Sequence, residues 1–534
     1  MRRFSSYGPI DTDLNYYVPR RELVEKGYTQ LVGETPLKGG HYFTVWAPRQ
    51  CGKTWIMQEA VKLIRKTGLY DVAICSVGRA KDIEDEEEVM KILIEKLRNA
   101  FGISFPLLTK ISDFSSLFTR NYFKKPVILV FDEFDALDET LIHRFANIFR
   151  ELYIERTNEQ DRAIEEKTCL LHGLALIGVR SVLGIENATG SPFNVQRSLR
   201  IPNLELEEVE SLFKWYEKES GQSVKREVID SLYKEVGGQP GLTCWFGELL
   251  TEGIEHYVND RTKPIDRRAF EIVYSAATYI LPNNNILNLI SKAKEEFNRE
   301  LILKMFQTDK KIEFKFDDKT MNWLYMNGLV QYEIEDGTRY YLKFSCSFVQ
   351  KRLFNYFSNE YFGDMGNLTD ALMDIDDIVT PTGLDIFRLM RLYQDYLDKN
   401  KSWLFKKAPR RSDERVFEAV FHFNIYSYLR GLLLGSRVDV VPEFPTGNGK
   451  IDLLIFYNDC RYGIELKSFS NKAAYRNALV KAAHYGKQLG LSEIFLVSFI
   501  ESIEEEKRST YEQPYVDSAS EVTVKPFFIQ TGMI

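Results

Sequence analysis

Tyr42-Phe43-Thr44-Val45-Trp46-Ala47-Pro48-Arg49-Gln50-Cys51-Gly52-Lys53-Thr54 runs from an apolar stretch into a Gly-Lys-Thr, and Lys53 to Lys66 then carries helical periodicity. His41 to Trp46 therefore predicts a strand, Lys53 the start of a helix, and the residues between them a turn. That is the setting a phosphate-binding loop requires, because N–H groups of the loop and of the helix N-terminus together cradle anionic oxygens. Lys53 is placed to reach the β and γ oxygens of a nucleoside triphosphate, and the Thr54 hydroxyl to ligate Mg²⁺. Ala47 stands where the usual pattern has its first glycine, a difference of one methyl group. Pro48, Arg49, Gln50, Cys51, Gly52, Lys53, Thr54 and Trp55 are the candidate nucleotide-binding residues.

Downstream, Val127-Ile128-Leu129-Val130-Phe131 is a continuous apolar run that ends in Asp132-Glu133. Such a run predicts a buried strand with two carboxylates at its tip. Asp132 is the expected partner of the Mg²⁺ shell, and Glu133 the group that orients and polarises an attacking water. A strand at Val72 to Val77 and a helix at Glu86 to Phe101 lie between the two motifs. A helix at Leu141 to Tyr153 and a strand at Leu174 to Val179 follow. Strands alternating with helices predict a parallel sheet covered on both faces. One strand between the two motifs is similar to the ATPases that have an additional strand and a catalytic glutamate. Arg180, at the end of the fourth strand, is a candidate sensor of the terminal phosphate. Arg150 and Arg156 are candidates for a finger offered to a neighbouring copy. Gly237-Gly238-Gln239-Pro240-Gly241 punctuates a helical region that begins at Glu205.

A chain of 534 residues is too long for one core and predicts three or four domains. Its 44% apolar and 28% charged residues are those of an ordinary water-soluble protein. No apolar run is long enough to span a bilayer, and Met1-Arg2-Arg3-Phe4 does not open a secretory signal. Six scattered cysteines, with no Cys-x-x-Cys pair, suggest neither a zinc site nor a disulfide framework, so a cytoplasmic setting is expected. The net charge of −7 argues against coating of the whole chain by nucleic acid. Between Lys406 and Lys487, however, 14 Lys and Arg stand against 8 Asp and Glu. That local excess is either a phosphate-backbone footprint or a solvated face of no consequence.

In the same region Arg415 to Leu434 predicts a long amphipathic helix, followed by strands near Val438 to Val441, Ile451 to Tyr457, Tyr462 to Leu466 and Ile494 to Phe499. A two-residue turn at Asn458-Asp459 would set Asp452 directly opposite Glu465, with Lys467 two residues on and on the same face. Two opposed carboxylates repel unless a cation lies between them. Asp452 and Glu465 are therefore candidate Mg²⁺ ligands, and Lys467 a group that positions or activates water beside a scissile phosphate. Glu418 on the long helix and Glu443 offer further carboxylates. Before this region, helices between Asp266 and Phe357 enclose a strand pair, Leu329 to Glu335 and Arg339 to Phe344. Its Asp336-Gly337 turn suggests a winged helix.

Both halves resemble one family, the bacterial and archaeal AAA-like ATP-binding proteins with a C-terminal PD-(D/E)XK nuclease-type domain. Tyr16-Tyr17-Val18-Pro19-Arg20, Ala47-Pro48-Arg49-Gln50, Val130-Phe131-Asp132-Glu133, Ile177-Gly178-Val179-Arg180, Ser191-Pro192-Phe193-Asn194 and Gly237-Gly238-Gln239-Pro240 carry the first half of the resemblance. Glu418-Ala419-Val420-Phe421-His422, Glu443, Gly449-Lys450-Ile451-Asp452-Leu453-Leu454-Ile455 and Ile464-Glu465-Leu466-Lys467 carry the second. The resemblance implies adenine over guanine, Mg²⁺ at both sites, Glu418 in support of the second metal and Lys467 as a catalytic lysine. Lys481, ahead of Tyr485, stands where the family usually has Gln. The expected divisions are an ATPase core over 1–204, a helical lid over 205–260, a winged helix over 261–358, a helical linker over 359–405 and a restriction-endonuclease-like α/β domain over 406–534. The expected function is an ATPase that controls a DNA-directed nuclease in mobile-element or defence biology, with oligomerisation compatible and no membrane partner. The alternatives are a nucleotide-controlled switch whose last domain only binds, and a DNA-stimulated motor or loader.

Overall fold

The computed structural model describes residues 1–35, 38–178, 197–254, 257–306, 311–369, 378–410, 416–434, 436, 438–445, 450–458 and 460–532. The chain divides into two compact units. The first is Met1–Leu289 with Phe314–Tyr340, the second Ile290–Glu313 with Tyr341–Ile534.

The first unit is built on β1 (Tyr42–Trp46), β2 (Asp71–Ser76), β3 (Val127–Asp132), β4 (Leu171–Gly178) and β5 (Arg197–Arg200). They form one parallel sheet in the order β2-β3-β4-β1-β5. β4 thus separates the strand that feeds the glycine loop from the strand that ends in Asp132. Helices α1 (Arg21–Val32), α2 (Lys53–Thr67), α3 (Glu86–Phe101) and α4 (Glu139–Asn158) cover it. The alternation of β3 decides the two layers. Ile128 and Val130 pack into one core with Ile56, Ala60 and Ile64 of α2. Leu129 and Phe131 pack into the other with Leu93 and Leu97 of α3 and Phe145 and Phe149 of α4. A strand apolar on both faces can only be central. α3 begins and ends where its sequence says it should: the Asp85 carboxylate accepts from Glu88 N, and Gly102 at φ 68° closes it.

Three helices follow, α5 (Leu206–Ser220), α6 (Arg226–Val236) and α7 (Pro240–Glu252), with Pro240 in the first turn of α7. Residues 1–20 pack on them: Phe4 lies 5.1 Å from Phe213, Tyr17 5.4 Å from Trp215, and Arg2 pairs with Glu219 at 2.6 Å. Then come α8 (Arg267–Tyr279), α9 (Asn284–Ala293), α10 (Glu296–Met305), α11 (Lys319–Met326), β6 (Val330–Glu335) and β7 (Arg339–Phe344). Asp336 at φ 53° and Gly337 at φ 71° make the expected turn between β6 and β7.

The second unit holds α10, α12 (Ser347–Phe362), the short pair β8 (Val379–Thr380) and β9 (Gly383–Leu384), α13 (Ile386–Leu404) and α14 (Glu418–Leu432). Its sheet is built from β10 (Val438–Pro445), β11 (Lys450–Tyr457), β12 (Cys460–Ser468), β13 (Glu493–Ile500), β14 (Tyr515–Asp517) and β15 (Val522–Gln530), in the order β10-β11-β12-β13-β15-β14. β10, β11 and β12 run antiparallel to one another, and β12, β13 and β15 parallel. α15 (Lys472–Leu489) packs on it, Leu479, Ala482 and Ala483 sharing a core with Ile494, Leu496 and Phe528. α16 (Glu505–Tyr511) precedes β14. Among the described residues no helix is long and apolar enough to cross a membrane.

Candidate functional site

The sequence motifs assemble into two clusters, one in each unit. In the first, the loop between β1 and α2 turns through Gln50 at φ 59° and Gly52 at φ 83°. Alternating left- and right-handed residues is how a backbone turns successive N–H groups to one side and makes an anion-binding concavity. Lys53 Nζ lies over the loop and donates to Ala47 O and Pro48 O, both at 2.8 Å. Burial holds its pKa below that of an ordinary lysine. Thr54 Oγ1 donates to Asp132 Oδ2 at 2.7 Å, across from α2 to the tip of β3. Burial raises the Asp132 pKa, opposed by the bonds from Thr54 and from Glu133 N. A hydroxyl and a carboxylate in contact are a hard-oxygen pair of the kind that suits Mg²⁺.

Glu133 follows in the left-handed region, at φ 58°. Its Oε2 accepts from Ser76 Oγ at 2.7 Å, at the end of the neighbouring strand β2. Gly78 lies so close that a Cβ there would meet the same carboxylate oxygen. Ser76 belongs to no motif; its one signal in the sequence is its place at the end of the strand that pairs with β3, where Ser76 aligns with Asp132.

The Trp55 ring is buried and packs 5.4 Å from Tyr17, which takes it off the loop surface. Gln239 Nε2 donates to Arg49 O at 3.0 Å and Gly241 N to Gln50 O at 3.0 Å, so the turn before α7 touches the loop. Gly328, after α11, faces Pro48 so closely that a Cβ there would lie 2.6 Å from the proline ring. Arg200 lies over the Trp46 and Tyr325 rings at 5.5 and 5.2 Å.

Arg156 is not a finger for a neighbour. It is buried, donates to Gly40 O and His172 O, and stacks on Tyr42 and Tyr153 at 5.2 and 4.7 Å. Its charge is used inside the fold. Arg150 is exposed on α4. Arg180 and the segment Ser191 to Asn194 lie outside the described residues.

In the second unit the β11–β12 ladder runs from Tyr457–Cys460 to Leu453–Ile464, the register expected from a turn at Asn458. Asp452 and Glu465 occupy the next position. Asp452 Oδ2 accepts from Leu466 N at 2.7 Å. Lys467 Nζ lies 3.2 Å from Glu465 Oε1 and 3.7 Å from Asp452 Oδ2. Asp452 and Glu465 are each only 1% exposed. Burial and then the Asp452 charge push Glu465 up to about 8. Asp452 is held below its usual value against burial, first by Lys467 and then by His422. Asp452 Oδ1 and Glu465 Oε2 are buried without a hydrogen-bond partner among the described residues.

Glu418 is linked to this pair through a histidine. His422, one turn along α14, lies between, with Nε2 3.7 Å from Glu418 Oε1 and Nδ1 3.9 Å from Asp452 Oδ1. Among the described residues no three His, Cys, Asp or Glu are grouped to hold a metal ion. What the fold does bring together is two carboxylates with unpartnered oxygens and a lysine, and Mg²⁺ is commonly held by one or two carboxylates with water and phosphate oxygens completing its shell. Position 443 falls in register opposite Asp452 on β10; its side chain lies outside the described residues. Lys481, in the slot expected to hold Gln, brings its Nζ to 3.7 Å from Glu465 Oε1.

Residues 5–252 match the family model described as an AAA-like domain. No curated protein matches the chain. Among solved structures, a Walker-type ATPase of Pyrococcus abyssi is similar at 13% identity and a TM-score of 0.42, over 66% of this chain and 99% of that one. Cdc6p of Pyrobaculum aerophilum is similar at 12% identity and 0.36, over 64% and 95%. The ORC1 protein of Aeropyrum pernix, solved in complex with DNA, is similar at 14% identity and 0.30, over 64% and 93%. The first unit contains the AAA-like P-loop domain that this family model marks, and its parallel five-strand sheet lies within it.

Proposed function

We propose that the protein binds and hydrolyses ATP in the first unit and uses that cycle to control a metal-dependent phosphodiester-cleaving site on DNA in the second. The observation that carries the first half is the Thr54–Asp132 contact of 2.7 Å, which joins the glycine loop to the acidic strand tip. In this reading Lys53 and the loop N–H groups hold the phosphates, Thr54 and Asp132 hold Mg²⁺, and Glu133 orients the attacking water. Bound there, Mg²⁺ neutralises charge on the phosphoryl oxygens. Ser76 holds the Glu133 carboxylate at the strand edge.

The second half rests on the buried Asp452, Glu465 and Lys467, whose unpartnered carboxylate oxygens suit a hard divalent ion such as Mg²⁺. Lys467 faces both carboxylates and positions water or a phosphate oxygen beside them. Residues 406–534 would then be a PD-(D/E)XK-type domain. Residues 205–260 would act as a lid, 261–358 as a winged helix and 359–405 as a linker.

The test is one incubation of the purified chain with supercoiled and linear DNA, with and without ATP, Mg²⁺ and Mn²⁺. Lys53→Ala and Asp452→Ala are run beside the wild type. The reading expects cutting that Asp452→Ala abolishes and that Lys53→Ala deregulates. Cutting that survives in Asp452→Ala rules out this site. ATP turnover without cutting under any metal favours the second reading, a nucleotide-controlled switch whose last domain only binds.

A further inference from the structure

Four successive carbonyls of the glycine loop are each taken by a donor. Lys53 Nζ takes Ala47 O and Pro48 O. The turn before α7 takes the other two, Gln239 Nε2 bonding Arg49 O and Gly241 N bonding Gln50 O. A peptide unit is planar and trans, so its C=O and the following N–H point in opposite directions. Donors that hold the Arg49 and Gln50 carbonyls on one side therefore present the N–H groups of Gln50 and Cys51 on the other. Among the described residues no protein acceptor takes those two N–H groups.

The turn is shaped for this approach. Gly238, at φ 66°, is packed so tightly on Leu204 O that no side chain fits there. At Gly241 a Cβ would lie 2.5 Å from Gln50 Cβ, so glycine is what lets the α7 N-terminus reach the loop backbone. Gln239 does two jobs: its Oε1 accepts from Leu242 N and caps α7, while its Nε2 donates to the loop. A triphosphate that engages the Lys53 ammonium draws it from Ala47 and Pro48. The two donors from the turn do not depend on Lys53, so they keep residues 49–51 in shape when the ligand arrives.

We propose that the Gln239–Gly241 turn is a built-in part of the phosphate site, with Gln239 a positioning residue that pre-shapes the loop for the phosphates of a nucleoside di- or triphosphate. This rests on the nucleotide-binding reading of the loop.

The two jobs of Gln239 can be separated. Gln239→Ser keeps a capping oxygen and loses the donor to Arg49 O; Gln239→Ala loses both. ATP is titrated into the wild type, both variants and Lys53→Ala, and the thermal midpoint is measured without nucleotide. Loss of one carbonyl hydrogen bond predicts about five- to tenfold weaker ATP binding in Gln239→Ser, with the wild-type midpoint kept. Gln239→Ala is expected to show the same weakening together with a lowered midpoint. Wild-type affinity in Gln239→Ser overturns the proposal. So does a loss of affinity that follows the thermal midpoint across the two variants, which marks a merely structural residue. No ATP binding by the wild type, or equal binding by Lys53→Ala, overturns the nucleotide reading itself and this inference with it.

Discussion

Thr54 Oγ1 and Asp132 Oδ2 are 2.7 Å apart although 78 positions separate them in the chain. The contact exists because β1 and β3 run parallel with β4 between them, which brings the start of α2 to the tip of β3. If the pair holds Mg²⁺, Asp132→Asn should lower ATP turnover at saturating Mg-ATP by about a hundredfold, while ATP still binds through Lys53. Unchanged turnover would remove Asp132 from the site.

Ser76 donates to Glu133 Oε2 at 2.7 Å. A hydrogen-bonded carboxylate is held in one orientation, and here that orientation is toward the end of β2. Ser76→Ala should therefore raise basal ATP turnover a few-fold, whereas Glu133→Gln should abolish it. A fall in turnover in Ser76→Ala would mean that the serine assists Glu133 rather than holds it.

Arg156 is a structural cation. Its truncation leaves Gly40 O and His172 O without their donor and strips a charge from two tyrosine faces. Arg156→Ala should cost about 2–4 kcal/mol in denaturant unfolding, the scale of lost charged hydrogen bonds with a cation–π contribution. A stable Arg156→Ala that loses only ATP turnover would restore the finger assignment.

Glu465 carries a pH signature. Folded, it titrates near 8 because of burial and the Asp452 charge; unfolded, it titrates near its ordinary value of 4.5. The folded chain binds this proton more tightly, so the stability it adds is complete below 4.5 and is lost as pH rises through 8. Glu465→Gln removes the titration. In chelator-containing buffer the variant's thermal midpoint should gain on the wild type steadily from pH 5 to pH 8.5. A constant difference across that range would mean that Glu465 is not held protonated.

Much of this was legible in the residues. The motif pair, the alternating order and the Asn458 turn depend on local patterns, and each local pattern constrains a strand end or a register. The β11–β12 register followed from turn length alone. What escaped was set by tertiary neighbours. His422 between Glu418 and Asp452 depends on how α14 lies against the sheet. Ser76 on Glu133 depends on which strand pairs with β3. Arg156 reads as a candidate finger in the sequence because the helical pattern of α4 does not reveal a guanidinium buried between two tyrosines. The turn at Gly237 to Gly241 was visible as punctuation, yet its grip on Arg49 and Gln50 is a contact across 190 positions.

The most direct test of the account is an equilibrium titration of Mg-ATP into the wild type and Lys53→Ala. The account predicts saturable binding by the wild type and at least a tenfold loss in the variant, in line with removal of a charged phosphate contact. Equal affinity in the two proteins, or no binding by the wild type, would contradict it.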